Sequence, residues 1–259
     1  MIVVTGATGF IGQRLIPLLV KEYRSSEILC LVWNRDNPKE IAARKILKKH
    51  GVVLRLVDLL DSNTLVGLPI NPKMVFHLAA TTDTALPDHR CNNLGTRNLI
   101  SSLKMSSKTL FIHIGTSAIY CGRNSCNKLI NERTLSSPSN NYGRTKLEAE
   151  RLLKEDAFKR KYSLTILRPP TVYGSNPRDN SLFDFLKKLI LARSPLARFN
   201  WPGMTSLVWV DDMAKTIEWA VKHQAKPGVS MEYIVSVEAL TLADISQLMH
   251  QKLGITYRE

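Results

Sequence analysis

Short apolar runs alternate with longer stretches of helical periodicity along most of the chain. The opening run, MIVVTG, is β-rich, and Phe10 to Tyr23 follows with apolar residues at helical spacing. Glu27 to Trp33 is strand-like, Pro38 to His50 helical, and Val52 to Val57 and Met74 to Leu78 are further strands. Asn92 to Met105 reads as helix, Leu110 to Ile114 as strand, Tyr142 to Lys161 as a long amphipathic helix and Leu164 to Leu167 as strand. Strand and helix in regular alternation predict a parallel sheet covered on both faces. Past Tyr173 the alternation weakens, and Gly, Ser, Asn and Pro cluster from Gly174 to Ser181 in a loop leaving the sheet. Beyond it, Leu182 to Leu191, Asp211 to Lys222 and Leu242 to Leu253 read as helices, and Leu207 to Val210 and Met231 to Val237 as strands.

The 259 residues suffice for one large domain with a small added lobe. The N-terminus lacks a basic leader, and no run approaches the ~18 apolar residues of a membrane span. A soluble protein with no membrane partner is therefore expected. Cys30, Cys91, Cys121 and Cys126 form no C-x-x-C pair, which points to ordinary thiols in a reducing cytoplasm, with no disulfide frame and no metal site. The net charge of +14 suits an anionic partner. The basic residues, however, sit at helical spacing among apolar ones, as on solvated faces, and no basic–aromatic tract marks a nucleic-acid platform.

The most informative turn is Thr5-Gly6-Ala7-Thr8-Gly9-Phe10-Ile11-Gly12, set between the first strand and the first helix. Gly6 permits a sharp turn, Gly9 lets backbone approach a pyrophosphate, and Gly12 lets the helix pack close to the sheet. Amides at the helix start would face the phosphates. This is the signature of a Rossmann-type, doubly wound parallel sheet holding a dinucleotide. The pattern assigns 1–172 to an NAD(P)-binding domain, to which 205–230 returns. It assigns 173–204 and 231–259 to a small C-terminal substrate lobe, either reduced or cut short. The second strand ends at Trp33, where a carboxylate would grip the ribose of NAD. Arg35, close by, suits a 2′-phosphate and favours NADP(H) over NAD(H), while Asp36 keeps NAD open if the register slips. Asp58 and Leu59, after the third strand, are placed to meet the adenine.

Tyr142 and Lys146 lie four residues apart at a helix start, hence on one face. A tyrosine is a poor base at neutral pH unless cations favour its phenolate. A neighbouring ammonium and an oxidised nicotinamide would both do so. Thr116 follows the Leu110 to Ile114 strand, at the sheet edge where such folds bind ligands, and its hydroxyl could steady a substrate oxygen. The three residues together predict proton and hydride transfer at a secondary alcohol or ketone.

The chain resembles the extended short-chain dehydrogenase/reductase superfamily, in particular the NAD-dependent epimerase/dehydratase family. The likeness rests on TGATGFIG, Val57-Asp58-Leu59, FHLAA at Phe76 to Ala80 and NNLGTRNL at Asn92 to Leu99. It extends through GTSAIY at Gly115 to Tyr120, YGRTK, LRPPTVYG at Leu167 to Gly174 and VWVDDMA at Val208 to Ala214. The resemblance implies catalytic roles for Thr116, Tyr142 and Lys146, the last two also touching the cofactor. It implies cofactor contacts for Gly6, Thr8, Gly9, Phe10, Ile11, Gly12, Asp58, Leu59, Leu78, Ala79, Ala80, Asn92, Pro169 and Pro170. It also allows a homodimer. Three departures bear on the substrate: no acidic residue ends the second strand, Thr81 to Cys91 is short, and the chain stops soon after Leu253.

The leading expectation is an epimerase, dehydratase or reductase of a nucleotide sugar. The alternatives are an NADPH-dependent reductase of a non-sugar ketone or aldehyde, and an inactive dinucleotide-sensing or RNA-binding module.

Overall fold

The computed structural model describes residues 1–122, 129–176, 181–199 and 203–257, so Cys126 and part of the 174–181 loop lie outside it. The elements run β1 (Ile2–Thr5), α1 (Gly12–Glu22), β2 (Ile28–Trp33), α2 (Pro38–Lys49), β3 (Val53–Val57), β4 (Met74–His77), α3 (Arg90–Ser102) and β5 (Leu110–Ile114). They continue with α4 (Asn141–Arg160), β6 (Ser163–Arg168), β7 (Thr171–Tyr173), α5 (Leu182–Leu191), β8 (Met204–Trp209), α6 (Val210–Lys222), β9 (Ser230–Ile234), β10 (Glu238–Thr241) and α7 (Leu242–Lys252).

Seven strands form one sheet in the order β3-β2-β1-β4-β5-β6-β9, every neighbouring pair parallel. Both faces are buried along the central strands β1, β4, β5 and β6, where side chains alternate between them with the period of two that a strand imposes. Val4, Cys30, Phe76 and Ile112 face one core, which Leu15 of α1, Leu47 of α2 and Ile217 of α6 complete. Val3, Leu31, Val75 and Phe111 face the other, closed by Leu99 of α3 and Leu153 of α4. The winding direction reverses between β1 and β4. This leaves a crevice above the C-terminal strand ends, where open α/β sheets take their ligands.

Local signals fix the helix starts. Pro38 opens α2 behind Asn37, whose side chain accepts from the Glu40 amide at 2.9 Å. Asn140 caps α4 by accepting from the Gly143 amide at 2.8 Å. A capping box joins Thr241 and Asp244 at the head of α7.

A second, three-stranded sheet has the order β10-β8-β7, with β8 parallel to β7 and antiparallel to β10. With α5 and α7 it encloses a separate small core of Leu186, Leu207 and Ile245. The chain pattern places 205–230 in the main domain and 231–259 in the lobe, but the hydrogen-bond ladders divide the strands otherwise. Helix α6 returns to the large sheet, β8 stays in the small one, and β9 extends the large sheet beside β6. Apolar content marks a strand without naming its partner, and β7 and β10 are too short to show periodicity.

Candidate active site

The glycine turn is built by close backbone approach. Gly6 has φ of +68°, and a Cβ there would stand 2.6 Å from the Ala79 amide nitrogen. The turn therefore presses on the Leu78–Ala80 stretch leaving β4, and Ala79 N donates to the Thr5 hydroxyl at 3.2 Å. A Cβ on Gly12 would stand 2.2 Å from Gly6 O. The expected contact of Gly12 with the sheet is thus a contact with the turn's own backbone. No side chain caps α1 at Ile11; the Gln13 and Arg14 amides bond Gly9 O and Ile11 O at 3.0 Å, and Thr8, Gly9 and Phe10 lead into this start.

At the far end of the crevice β2 finishes at the exposed Trp33, and the Arg35 guanidinium lies 4.5 Å from the centre of its ring. Arg44 takes the Asp36 carboxylate in an ion pair and donates to the Arg35 carbonyl at 3.2 Å. Asp36 is thereby engaged, while no described carboxylate pairs with Arg35. Asp58, at the end of β3, accepts from the Leu60 amide at 2.9 Å, and the Leu59 carbonyl accepts from Asn98 at 2.8 Å.

The polar centre lies at the end of β5. Thr116 is nearly buried and caps the short 3₁₀ turn Ser117–Tyr120, accepting from the Ala118 amide at 3.1 Å. The Ser117 amide donates to Pro169 O at 2.9 Å, which draws Pro169 and Pro170 to the same edge. Gly143 lets the first turn of α4 seat on this turn, since a Cβ there would stand 2.9 Å from Ala118 O. Tyr142, half-buried, is on that first turn, its ring 5.9 Å from the ring of His89. One turn later Lys146 is 2% exposed. Its ammonium donates to Ile114 O and lies 3.3 Å from His113 Nε2. Burial pulls Lys146 down to about 8, opposed by the Glu150 carboxylate. The structure thus places Thr116 just past the end of β5, the Lys146 ammonium on Ile114 O of that strand, and Tyr142 one helical turn before Lys146 on α4. Asn92 ties the surroundings together, bonding Thr81 at both its amide and carbonyl and donating to the Thr145 hydroxyl at 3.1 Å.

Several polar residues here receive no role from the motifs read in the sequence. His77 is held between the hydroxyls of Thr5 at 2.7 Å and Thr96 at 2.8 Å, and its ring lies 5.2 Å from that of His113. Burial, then the Lys146 charge, brings His77 down to about 3 and His113 well below its ordinary value. On the other side of Lys146, the fully buried Glu150 pairs with Arg168 at 2.7 Å, and Arg168 also meets Glu232 and donates to the Tyr120 hydroxyl at 2.8 Å. Lys154 pairs with Glu232 at 2.7 Å. The one available signal was a charged or imidazole residue inside an apolar strand, as in FIHI at Phe111 to Ile114.

Among the described residues no cluster of His, Cys, Asp and Glu could hold a metal, and no helix is long and apolar enough to cross a membrane.

Comparison with known proteins adds the lineage. UDP-glucose 4-epimerase of Mycoplasma genitalium is 29% identical over 212 residues, 75% of this chain and 61% of that protein. dTDP-D-glucose 4,6-dehydratase of Dictyostelium discoideum is 24% identical over 84% of this chain and 54% of its own length. The chain thus spans less than two thirds of either curated relative. Among solved structures, UDP-glucuronic acid 4-epimerase from Bacillus cereus, in complex with UDP-glucuronic acid and NAD, superposes with a TM-score of 0.79 at 24% identity, over 98% of this chain and 83% of that one. dTDP-glucose 4,6-dehydratase from Bacillus anthracis, in complex with NAD, gives 0.79 at 18% identity, over 98% of this chain and 81% of that one. Both superpositions speak to the fold. The model of the NAD dependent epimerase/dehydratase family matches residues 2–235, and the chain belongs to that family.

Proposed function

We propose that this protein binds a nicotinamide dinucleotide and moves a proton and a hydride at a secondary alcohol or ketone of a nucleotide sugar. The observation that carries the proposal is the packing of the first turn of α4, which bears Tyr142, on the turn capped by Thr116, together with the bond from the Lys146 ammonium to Ile114 O at the C-terminal end of β5. The start of α1, which carries no side-chain cap, and the backbone cradle at Gly6 and Gly12 fit a pyrophosphate, with Thr8, Gly9, Phe10 and Ile11 around it. Leu78, Ala79, Ala80, Asn92, Pro169 and Pro170 would border the nicotinamide half, and Asp58 and Leu59 the adenine.

When bound, the nicotinamide supplies the hydride chemistry. The chain's own residues do the rest. Tyr142 takes the proton of the substrate hydroxyl on oxidation and returns one on reduction. Lys146 supplies the positive charge that favours the phenolate. Thr116 donates a hydrogen bond to the substrate oxygen as charge develops there. Arg35 would meet a 2′-phosphate, since Asp36 is already held by Arg44, and this favours NADP(H) over NAD(H). The same arginine supports a second reading, an NADPH-dependent reductase of a non-sugar carbonyl compound.

The test begins with a panel of UDP-, GDP- and dTDP-sugars and simple carbonyl compounds. On a converted substrate, Tyr142→Phe keeps the ring, so cofactor affinity should hold while turnover falls ~10²-fold or more. Full turnover by this variant would remove Tyr142 from the chemistry. Conversion of carbonyl compounds alone would select the second reading.

A further inference from the structure

His113 is the penultimate residue of β5, on the face that otherwise buries Phe111, Leu164 and Ile166, and is fully buried. An apolar side chain would fill that place without the cost of burying two ring nitrogens. What distinguishes the site is Lys146. Its ammonium has three hydrogens and no lone pair. One goes to Ile114 O, and His113 Nε2, at 3.3 Å, is placed to accept a second. To accept, the imidazole must be neutral with its hydrogen on Nδ1, and Nδ1 meets no described partner. The lysine contact is therefore what selects the tautomer.

We propose that His113 is a positioning residue acting through Lys146: its Nε2 accepts from the buried ammonium, keeps it charged, and leaves its third hydrogen for the site. The inference rests on the reading of Lys146 as part of the catalytic centre. A hydrogen bond to the charged form opposes the desolvation that otherwise discharges a buried lysine. The other groups facing Lys146 do not replace it. On α4, Tyr142 lies one turn before it, and Glu150 favours the ammonium but is shared with Arg168 of β6. On α3, the Cys91 thiol is pushed up to about 11 by burial and stays neutral. On β4, His77 is neutral and engaged by Thr5 and Thr96.

Two measurements decide this, neither needing a substrate. In protein carrying ¹³Cε-labelled lysine, the Lys146 signal is identified by its loss in Lys146→Met and titrated with pH. His113→Phe should move its midpoint down by about one pH unit or more, a tenfold fall in the ratio of ammonium to amine. His113→Gln, which retains an acceptor near the Nε2 position, should restore it to within about 0.3 unit. An unmoved midpoint in folded His113→Phe overturns the proposal. In the parent, long-range ¹H–¹⁵N imidazole spectra should show His113 neutral with the hydrogen on Nδ1. A hydrogen on Nε2 overturns the proposal even if His113→Phe does not fold. Turnover of Lys146→Met tests the catalytic reading separately, because the titration and the tautomer do not depend on it.

Discussion

Replacing Glu150 by Gln removes one negative charge from the most buried ion pair among the described residues while keeping the side chain's volume. Glu150 is 0% exposed and Arg168 3%, with three nitrogen–oxygen contacts from 2.7 to 3.3 Å. Breaking such a pair typically costs 3–5 kcal/mol, because the surviving charge stays buried. Here Glu232 still meets the guanidinium, and the glutamine oxygen can accept one of its hydrogens, so roughly 2–3 kcal/mol is expected. With a urea dependence of about 3 kcal/mol per molar, the unfolding midpoint should fall by roughly 0.7–1 M. Glu155→Gln, on an exposed position of the same helix, should change stability by less than about 0.5 kcal/mol and serves as the control. A Glu150→Gln midpoint within ~0.2 M of the parent would show that the Glu150–Arg168 pair contributes little beyond what packing supplies. The same variant removes a charge that favours the Lys146 ammonium, so the lysine titration should move down as well.

Three further outcomes are open to test. Gly9→Val should abolish dinucleotide binding in a folded protein, by placing a branched side chain where the pyrophosphate would approach; undiminished binding by calorimetry would misplace the loop. Arg35→Ala should weaken NADP(H) by ~10-fold or more and NAD(H) little, and equal losses, or a parent that prefers NAD(H), would refute the assignment of the 2′-phosphate. The buried neutral His77, with its pKa at about 3, should make the fold acid-sensitive. Below about 6.5 the unfolded histidine takes up a proton that the folded one refuses, so stability falls with pH, approaching ~1.4 kcal/mol per pH unit for this group. Melting curves between pH 7.5 and about 5 should show this slope in the parent and a shallower one in His77→Gln.

The sheet was legible because its strands are bounded on both faces. An apolar run such as Leu110 to Ile114 can only be a buried strand when helices of clear period flank it, and the observed β5 has those same bounds. The glycine turn was legible because a Cβ at Gly6 or Gly12 would clash with backbone, while one at Gly9 would meet Gly6 O at 3.1 Å, a tight contact. Strand partnership was not, since β8 and β9 carry similar apolar content and differ only in which ladder they join. Thr116, Tyr142 and Lys146 could be proposed from spacing because helix geometry links the last two and a strand end supplies the first. His113, Glu150 and Arg168 could not. Each matters through a neighbour that is 18 or 33 residues away along the chain, a relation that no local pattern encodes.

The small lobe's chain path bears on how this protein could be re-engineered. Its core draws Tyr173 and Leu186 from one stretch, Leu207 from β8 and Ile245 from a later one, while α6 and β9 run back to the large sheet between them. A lobe assembled from separated stretches cannot be exchanged as a cassette. Any transplant from a relative must splice at several joints and keep 210–234 as host sequence, with the Arg14–Asp211 pair at 3.1 Å retained where α6 meets α1. Insertions that alter selectivity are better confined to a single stretch, such as the head of α5, than spread across the whole lobe.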